Sequence, residues 1–278
     1  MIVRVLILWA VIALAIALSV FVHRRRKSDE SPEFQVVLGF VGSAYGLLLG
    51  LLVVFAVGHY SDTRREAQKE ASSLVALWDT LDVYPRETRD AAHHDLICYM
   101  RAIVDEDWPA MERGSRFEDP RTLAYGDRVR AGVRGLPLDD DRQRSAAGRA
   151  SAFITDAGAS RQQLLFFTEP EVPTVLWVLI YAGAFLLVFL LGTHYADRPH
   201  GRITALGSAA ALLTVVVVVL TMLDNPFSAG ARVQPHSMSD AIDLVSVSGD
   251  RTGVLRPCAQ KPEPVPTGGA SAIRISRR

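Results

Sequence analysis

The chain has 278 residues, 49% of them hydrophobic and 22% charged, with 30 Lys/Arg balanced by 30 Asp/Glu and a mean hydropathy of +0.19. Zero net charge removes the global electrostatic case for a nucleic-acid partner. Two cysteines are too few for a metal-binding framework.

The apolar residues gather into four blocks free of Asp, Glu, Lys and Arg: Val5–Val22, Phe34–Gly58, Val172–Thr193 and Ile203–Leu223. Each is close to the roughly 20 residues that cross a hydrocarbon layer as a helix. None alternates apolar and polar residues, which excludes a β-barrel reading of these blocks. The expected fold class is all-α: an integral membrane protein with four transmembrane helices in two hairpins and a soluble helical insert between them. Hairpin 1 is assigned to 1–60 (spans at 4–22 and 36–58), the insert to 61–171, hairpin 2 to 172–227 (spans at 173–193 and 203–223) and a largely disordered tail to 228–278.

The first block reads as a signal anchor. Its basic cluster, Arg24-Arg25-Arg26-Lys27, follows the apolar stretch, whereas a cleaved secretory signal carries its charge in front. With that cluster cytoplasmic, alternation puts the short loop His194–Arg202, bearing Arg198 and Arg202, on the same side, and 61–171 outside. Arg64, Arg65 and Lys69, just past the second span, pull the other way.

The second span carries Gly42, Gly46 and Gly50 at every fourth position, with Gly39 nearby. Small residues in that register make a face on which another helix can approach closely, in the same chain or in another copy. Ser43 and Tyr45 lie within it and are candidates for a polar path, or for hydrogen bonds to neighbouring backbone.

Beyond the span, Ala67, Ala71, Leu74, Trp78 and Leu81 recur at spacings of 4, 3, 4 and 3, a coiled-coil-like seam that predicts a helix continuing out of the bilayer to Pro85. A second helix is expected over about 86–108, interrupted at Pro109, then loops at 113–121 and 135–141 flanking a short helix, then a long helix over 142–168. The insert holds 16 Lys/Arg and 21 Asp/Glu, a net charge of −5. His93 and His94 are adjacent, about 100° apart on a helix, and are expected on a solvated face rather than around one metal ion. Cys98 and Cys258 fall on the same expected side, where a disulfide and two free thiols are both compatible with the pattern.

No span contains an internal acid, base or histidine, which disfavours a proton-coupled transporter. No nucleophile elbow, phosphate loop, zinc helix motif or dinucleotide fingerprint is present, so no enzyme, catalytic residue, metal site or cofactor is expected.

Taken together, Tyr45-Gly46 in the Gly-rich second span, Glu66 and Glu70 after it, the segment Asp105-Glu106-Asp107-Trp108-Pro109-Ala110-Met111, Arg161 ahead of Pro173 and Trp177, and Leu223-Asp224-Asn225-Pro226-Phe227 after the last span make a pattern. In order and spacing it resembles the bacterial four-helix membrane proteins of unknown function that have a bestrophin-like domain, over most of 34–238. True bestrophins are pentameric anion channels in which an Asn-Pro-Phe segment precedes an acidic calcium-binding run. Here Asn225-Pro226-Phe227 is followed by Ser228-Ala229-Gly230-Ala231-Arg232, so the resemblance implies no calcium clasp. It implies a lipid-embedded homo-oligomer with channel-like character. The alternative is a non-conducting envelope anchor or sensor whose insert, 61–171, binds a protein partner.

Overall fold

The computed structural model describes residues 2–25, 32–169, 172–196, 199–224, 226–227, 232–250 and 257–259. Among them the secondary structure is helical: α1 (Ile2–Arg25), α2 (Pro32–Leu81), α3 (Arg86–Ala102), α4 (Trp108–Glu112), α5 (Pro120–Arg134), α6 (Asp141–Phe166), α7 (Thr174–His194), α8 (Pro199–Leu223) and α9 (His236–Asp250), with a π turn at Ile103–Asp107 between α3 and α4. Four helices, α1, α2, α7 and α8, are long and apolar enough to cross a membrane. The chain divides into two compact units, one of residues 1–64 and 167–233, the other of 65–166 and 234–278.

In the first unit α1 packs most extensively on α7, with α8 as its second neighbour. The contact is close because small residues line it. A side chain at Gly192 of α7 would collide with the fully buried Ser19 of α1. The core combines Leu8, Ile12 and Ala15 of α1, Tyr45, Leu49 and Ala56 of α2, Ile180, Ala184 and Val188 of α7, and Leu213, Val217 and Leu220 of α8. The outward faces remain apolar: Leu6, Phe40, Leu47, Val54, Val175 and Leu212 are all exposed. In water such faces would be a heavy liability, and in lipid they are the solvated surface.

The second unit is built on the C-terminal third of α2. Its 4-3 stripe, Ala67, Ala71, Leu74, Trp78 and Leu81, is buried in full, as the spacing predicts. Leu96, Ile97, Met100 and Ile103 from α3 and the π turn, Tyr125, Val129 and Val133 from α5, and Ala146, Ala150, Ile154 and Ala157 from α6 complete the core.

Three local features depart from the sequence-based expectation. Pro109 does not end the second helix; it sits in the first turn of α4, immediately after the π turn. The wider turn moves the preceding carbonyls away from a ring that would clash with them in a regular helix. His93 is not solvated. It is buried, with its ring stacked on Trp78 at 3.7 Å between centroids and its Nε2 3.0 Å from the Trp78 carbonyl oxygen. The expected disordered tail contains α9, which buries Met238, Ala241 and Val245, and the Cys98–Cys258 disulfide anchors a further segment.

Candidate functional site

Three places bring together residues that general helix packing does not require. The first is the apolar half of α2. Tyr45 is buried, and its hydroxyl donates a 2.6 Å hydrogen bond to the Ile180 carbonyl oxygen of α7. Its ring lies over Gly183, where any side chain would collide with it. Tyr45 therefore fixes which face of α2 meets α7. The opposite consequence falls on Gly39, Ser43, Gly46 and Gly50, which are exposed. A Cβ placed on Gly39, Gly46 or Gly50 would meet nothing within 4 Å, and one on Gly42 would touch only Leu187 at an ordinary 3.8 Å. The glycine register thus has no close partner among the described residues, Leu187 beside Gly42 excepted.

The second is a buried charge cluster in the unit containing the C-terminal third of α2. Arg161 of α6, Glu70 of α2 and Asp107 of the π turn are each at most 1% exposed. Arg161 Nε donates to Glu70 Oε1 at 2.9 Å, and Arg161 Nη1 lies 3.8 Å from Asp107 Oδ2. Asp107 Oδ1 accepts the Asp119 backbone N–H at 2.7 Å, while Asp119 in turn caps α5 by accepting from the Arg121 N–H. Two carboxylates thus share one guanidinium, away from water.

The electrostatic outcome follows from that count. Burial pushes the Glu70 carboxyl up to about 7, against the Arg161 guanidinium, which favours the ionised form. Asp107 is raised by the same cause. Burial tends to lower the Arg161 pKa, but Glu70, Tyr99 and Asp107 together raise it, so it stays charged. Glu70 Oε2, Asp107 Oδ2, both Arg161 Nη atoms and Ser160 Oγ have no hydrogen-bond partner. Such groups are costly when buried without a partner.

At the end of the first unit, Arg4 of α1 forms an ion pair with the buried Asp224 that follows α8. The Arg4 guanidinium also lies 4.1 Å over the Trp177 ring, and the Val172 N–H donates to Asp224 Oδ1 at 2.9 Å. One carboxylate therefore ties together the beginning of α1, the approach to α7 and the end of α8.

The sequence profile of the Bestrophin-like domain matches residues 5–238. The chain belongs to the Bestrophin-like family. Among solved structures it is similar to a bacterial Bestrophin homolog from Klebsiella pneumoniae, solved by Zn-SAD phasing, at 12% identity and a TM-score of 0.65, covering 92% of this chain and 99% of that one. A mutant of the Klebsiella pneumoniae homolog gives 12% identity and a TM-score of 0.65, over 91% and 98%. A crystal structure of a mutated membrane protein gives 15% identity and a TM-score of 0.60, over 91% and 98%. No curated protein sequence matches the chain. At these identities the structures share the fold with this Bestrophin-like chain, and nothing finer.

The residues singled out in the sequence are distributed accordingly. Gly39, Gly42, Gly46, Gly50 and Ser43 share a region of α2, whereas Tyr45 is drawn away from Ser43 onto α7. Asp107 and Trp108 are buried, Pro109 is half-buried, and Asp107 joins the charge cluster. Asp224 is the Arg4 partner, and Pro226 and Phe227 are buried beyond it; Asn225 lies outside the described residues. The Glu70–Arg161 pairing was not anticipated. Its signal was present: Arg161 sits in register with Ala146, Ala150, Ile154, Ala157 and Leu164 on α6, the one charge on a buried stripe.

Proposed function

We propose that this Bestrophin-like protein is the subunit of a homo-oligomeric, channel-like membrane assembly in which the small-residue face of α2 meets a shared axis or a neighbouring copy. The observation that carries the reading is the exposed set Gly39, Ser43, Gly46 and Gly50, whose glycines would each take a Cβ with nothing described within 4 Å, on a helix apolar enough to span lipid. Such a face permits close approach of a second helix or of a permeating ion to the backbone. Family membership supports the reading, and no calcium clasp is part of it.

The test is a planar-bilayer recording on purified, oligomeric protein. Unitary currents are expected. In a Ser43→Cys variant, where the native cysteines are already paired, a charged thiol reagent added from the aqueous side blocks them. Electrically silent bilayers from folded oligomer would sink the proposal.

The two hairpins, the soluble character of 61–171 and its placement outside the cytoplasm belong to the same proposal. The basic end of α1 at Arg24 and Arg25 supports that orientation, as does a disulfide within the second unit, since reducing cytosol disfavours one. The proposal assigns no enzymatic step. A second reading, an envelope anchor that binds a protein partner, is supported by a groove of about 480 Å³ within the second unit, between Ala71, Val75 and Asp79 of α2 and Ser237, Asp240 and Leu244 of α9. Crosslinking of a distinct protein to this groove, with no conductance, would favour it.

A further inference from the structure

The Cys98–Cys258 bond joins residues 160 apart in sequence, with their Cα atoms 5.6 Å from each other. Its two sulfurs have unequal surroundings. Cys98 lies in the middle of α3 and is 1% exposed, whereas Cys258 is half-buried. One turn before Cys98 on the same helix, His94 Nε2 lies 3.8 Å from the Cys98 sulfur. A disulfide sulfur can only accept, so this contact requires the proton to be on Nε2. That tautomer leaves Nδ1 bare, and Nδ1 is buried with no partner. Among the described residues beside Cys258, Ala259 accepts at its carbonyl oxygen a 2.8 Å hydrogen bond from the Tyr125 hydroxyl of α5.

We propose that Cys98–Cys258 is a thiol–disulfide exchange site whose physiological reductant or oxidant is a dithiol oxidoreductase. The reductant's thiolate attacks the sulfur of the half-buried Cys258. The Cys98–Cys258 bond breaks, and Cys98 leaves as a thiolate beside the His94 N–H. The reductant's second thiol then displaces Cys258 from the mixed disulfide. Two protons from the dithiol finish on Cys98 and Cys258, the protein gains two electrons, and the partner is left as its disulfide. Attack at the less buried cysteine and stabilisation of the departing sulfur both favour this direction. His94 acts as a positioning residue for the leaving sulfur, not as a nucleophile.

Opening the bond releases the segment 257–259. The neutral hydrogen bond from Tyr125 does not offset the entropy of keeping that segment ordered. The cover is then lost over Cys98 on α3, against which α9 also packs. The site is independent of whether the assembly conducts ions.

The experiment uses the full-length protein in detergent, first alkylated without reductant, then treated with glutathione or dithiothreitol under folding conditions, acid-quenched, alkylated and mapped by mass spectrometry. The initial alkylation finds neither cysteine. Glutathione appears first on Cys258, with Cys98 recovered as the free thiol. His94→Leu slows reduction of the folded protein about tenfold and leaves the rate in denaturant unchanged, while His94→Gln, which keeps an N–H donor, retains most of the rate. Cys258→Ala serves as the folded, unbridged control. The proposal is overturned by free thiols before reduction, by first adduct formation on Cys98, by a bond that yields only after unfolding, or by a His94→Leu rate equal to the native one.

Discussion

The Arg161 guanidinium donates to Glu70 at 2.9 Å in a place sealed from solvent, with Asp107 as a second carboxylate 3.8 Å from the same group. A surface pair of this kind would matter little. Here removal of the cation leaves two carboxylates with no counter-charge. Arg161→Met is therefore expected to destabilise the second unit by about 3–5 kcal/mol. Thermal unfolding in detergent, followed by circular dichroism, measures it. Loss of less than about 1 kcal/mol would contradict the burial argument.

Glu70→Gln is expected to behave differently because the native carboxyl is already raised to about 7 from 4.5. Between those values the folded state binds more protons than the unfolded chain. Stability contributed by this group is thus present at low pH and lost as pH rises from about 4.5 to about 7. The difference amounts to about 3 kcal/mol in order of magnitude. His93, held low by burial, works in the opposite sense, stabilising less as pH falls. The pH profile of the native protein minus that of Glu70→Gln isolates the Glu70 part. A flat difference would mean that the carboxylate is ionised throughout.

Asp224 is the single acceptor for Arg4 and for the Val172 backbone N–H. Asp224→Ala is expected to cost about 2–3 kcal/mol, since hydrogen bonds to charged groups are worth more than neutral ones. A double-mutant cycle with Arg4→Ala should show coupling above about 1 kcal/mol. Additive effects would place Arg4 in the lipid interface, unlinked to α8.

Two glycines in the membrane helices should respond in opposite ways. Gly183→Ala forces the Tyr45 ring off α7 and is expected to lower protomer stability by about 1–3 kcal/mol. A Cβ at Gly46 meets nothing within 4 Å among the described residues, so Gly46→Leu should leave the protomer intact. Its effect belongs to assembly: native mass spectrometry should show a lower stoichiometry or a mixture of states. An unchanged oligomer with Gly46→Leu would separate the glycine face from any interface.

Much of this was legible beforehand. Four uncharged blocks announce four apolar helices because lipid tolerates few alternatives to a helix with satisfied backbone. The stripe Ala67–Leu81 announces its own burial through its spacing. Asp107, Glu70 and Arg161 were each visible as residues, yet they lie on three different elements, and periodicity along one helix carries no information about what faces it. The same holds for Cys98 and Cys258, whose pairing depends on where a helix after Val233 brings the chain back.

The sequence by itself determined the helical class, the apolar spans and the family, because these depend on local composition and on the solvent each segment prefers. Only the tertiary structure decided that Tyr45 faces α7 while Gly46 faces outward, that Arg161 meets Glu70, and that Arg4 meets Asp224. Rotation of a helix about its axis and the choice of its neighbours come from packing and charge compensation between distant segments, which no single stretch of sequence encodes.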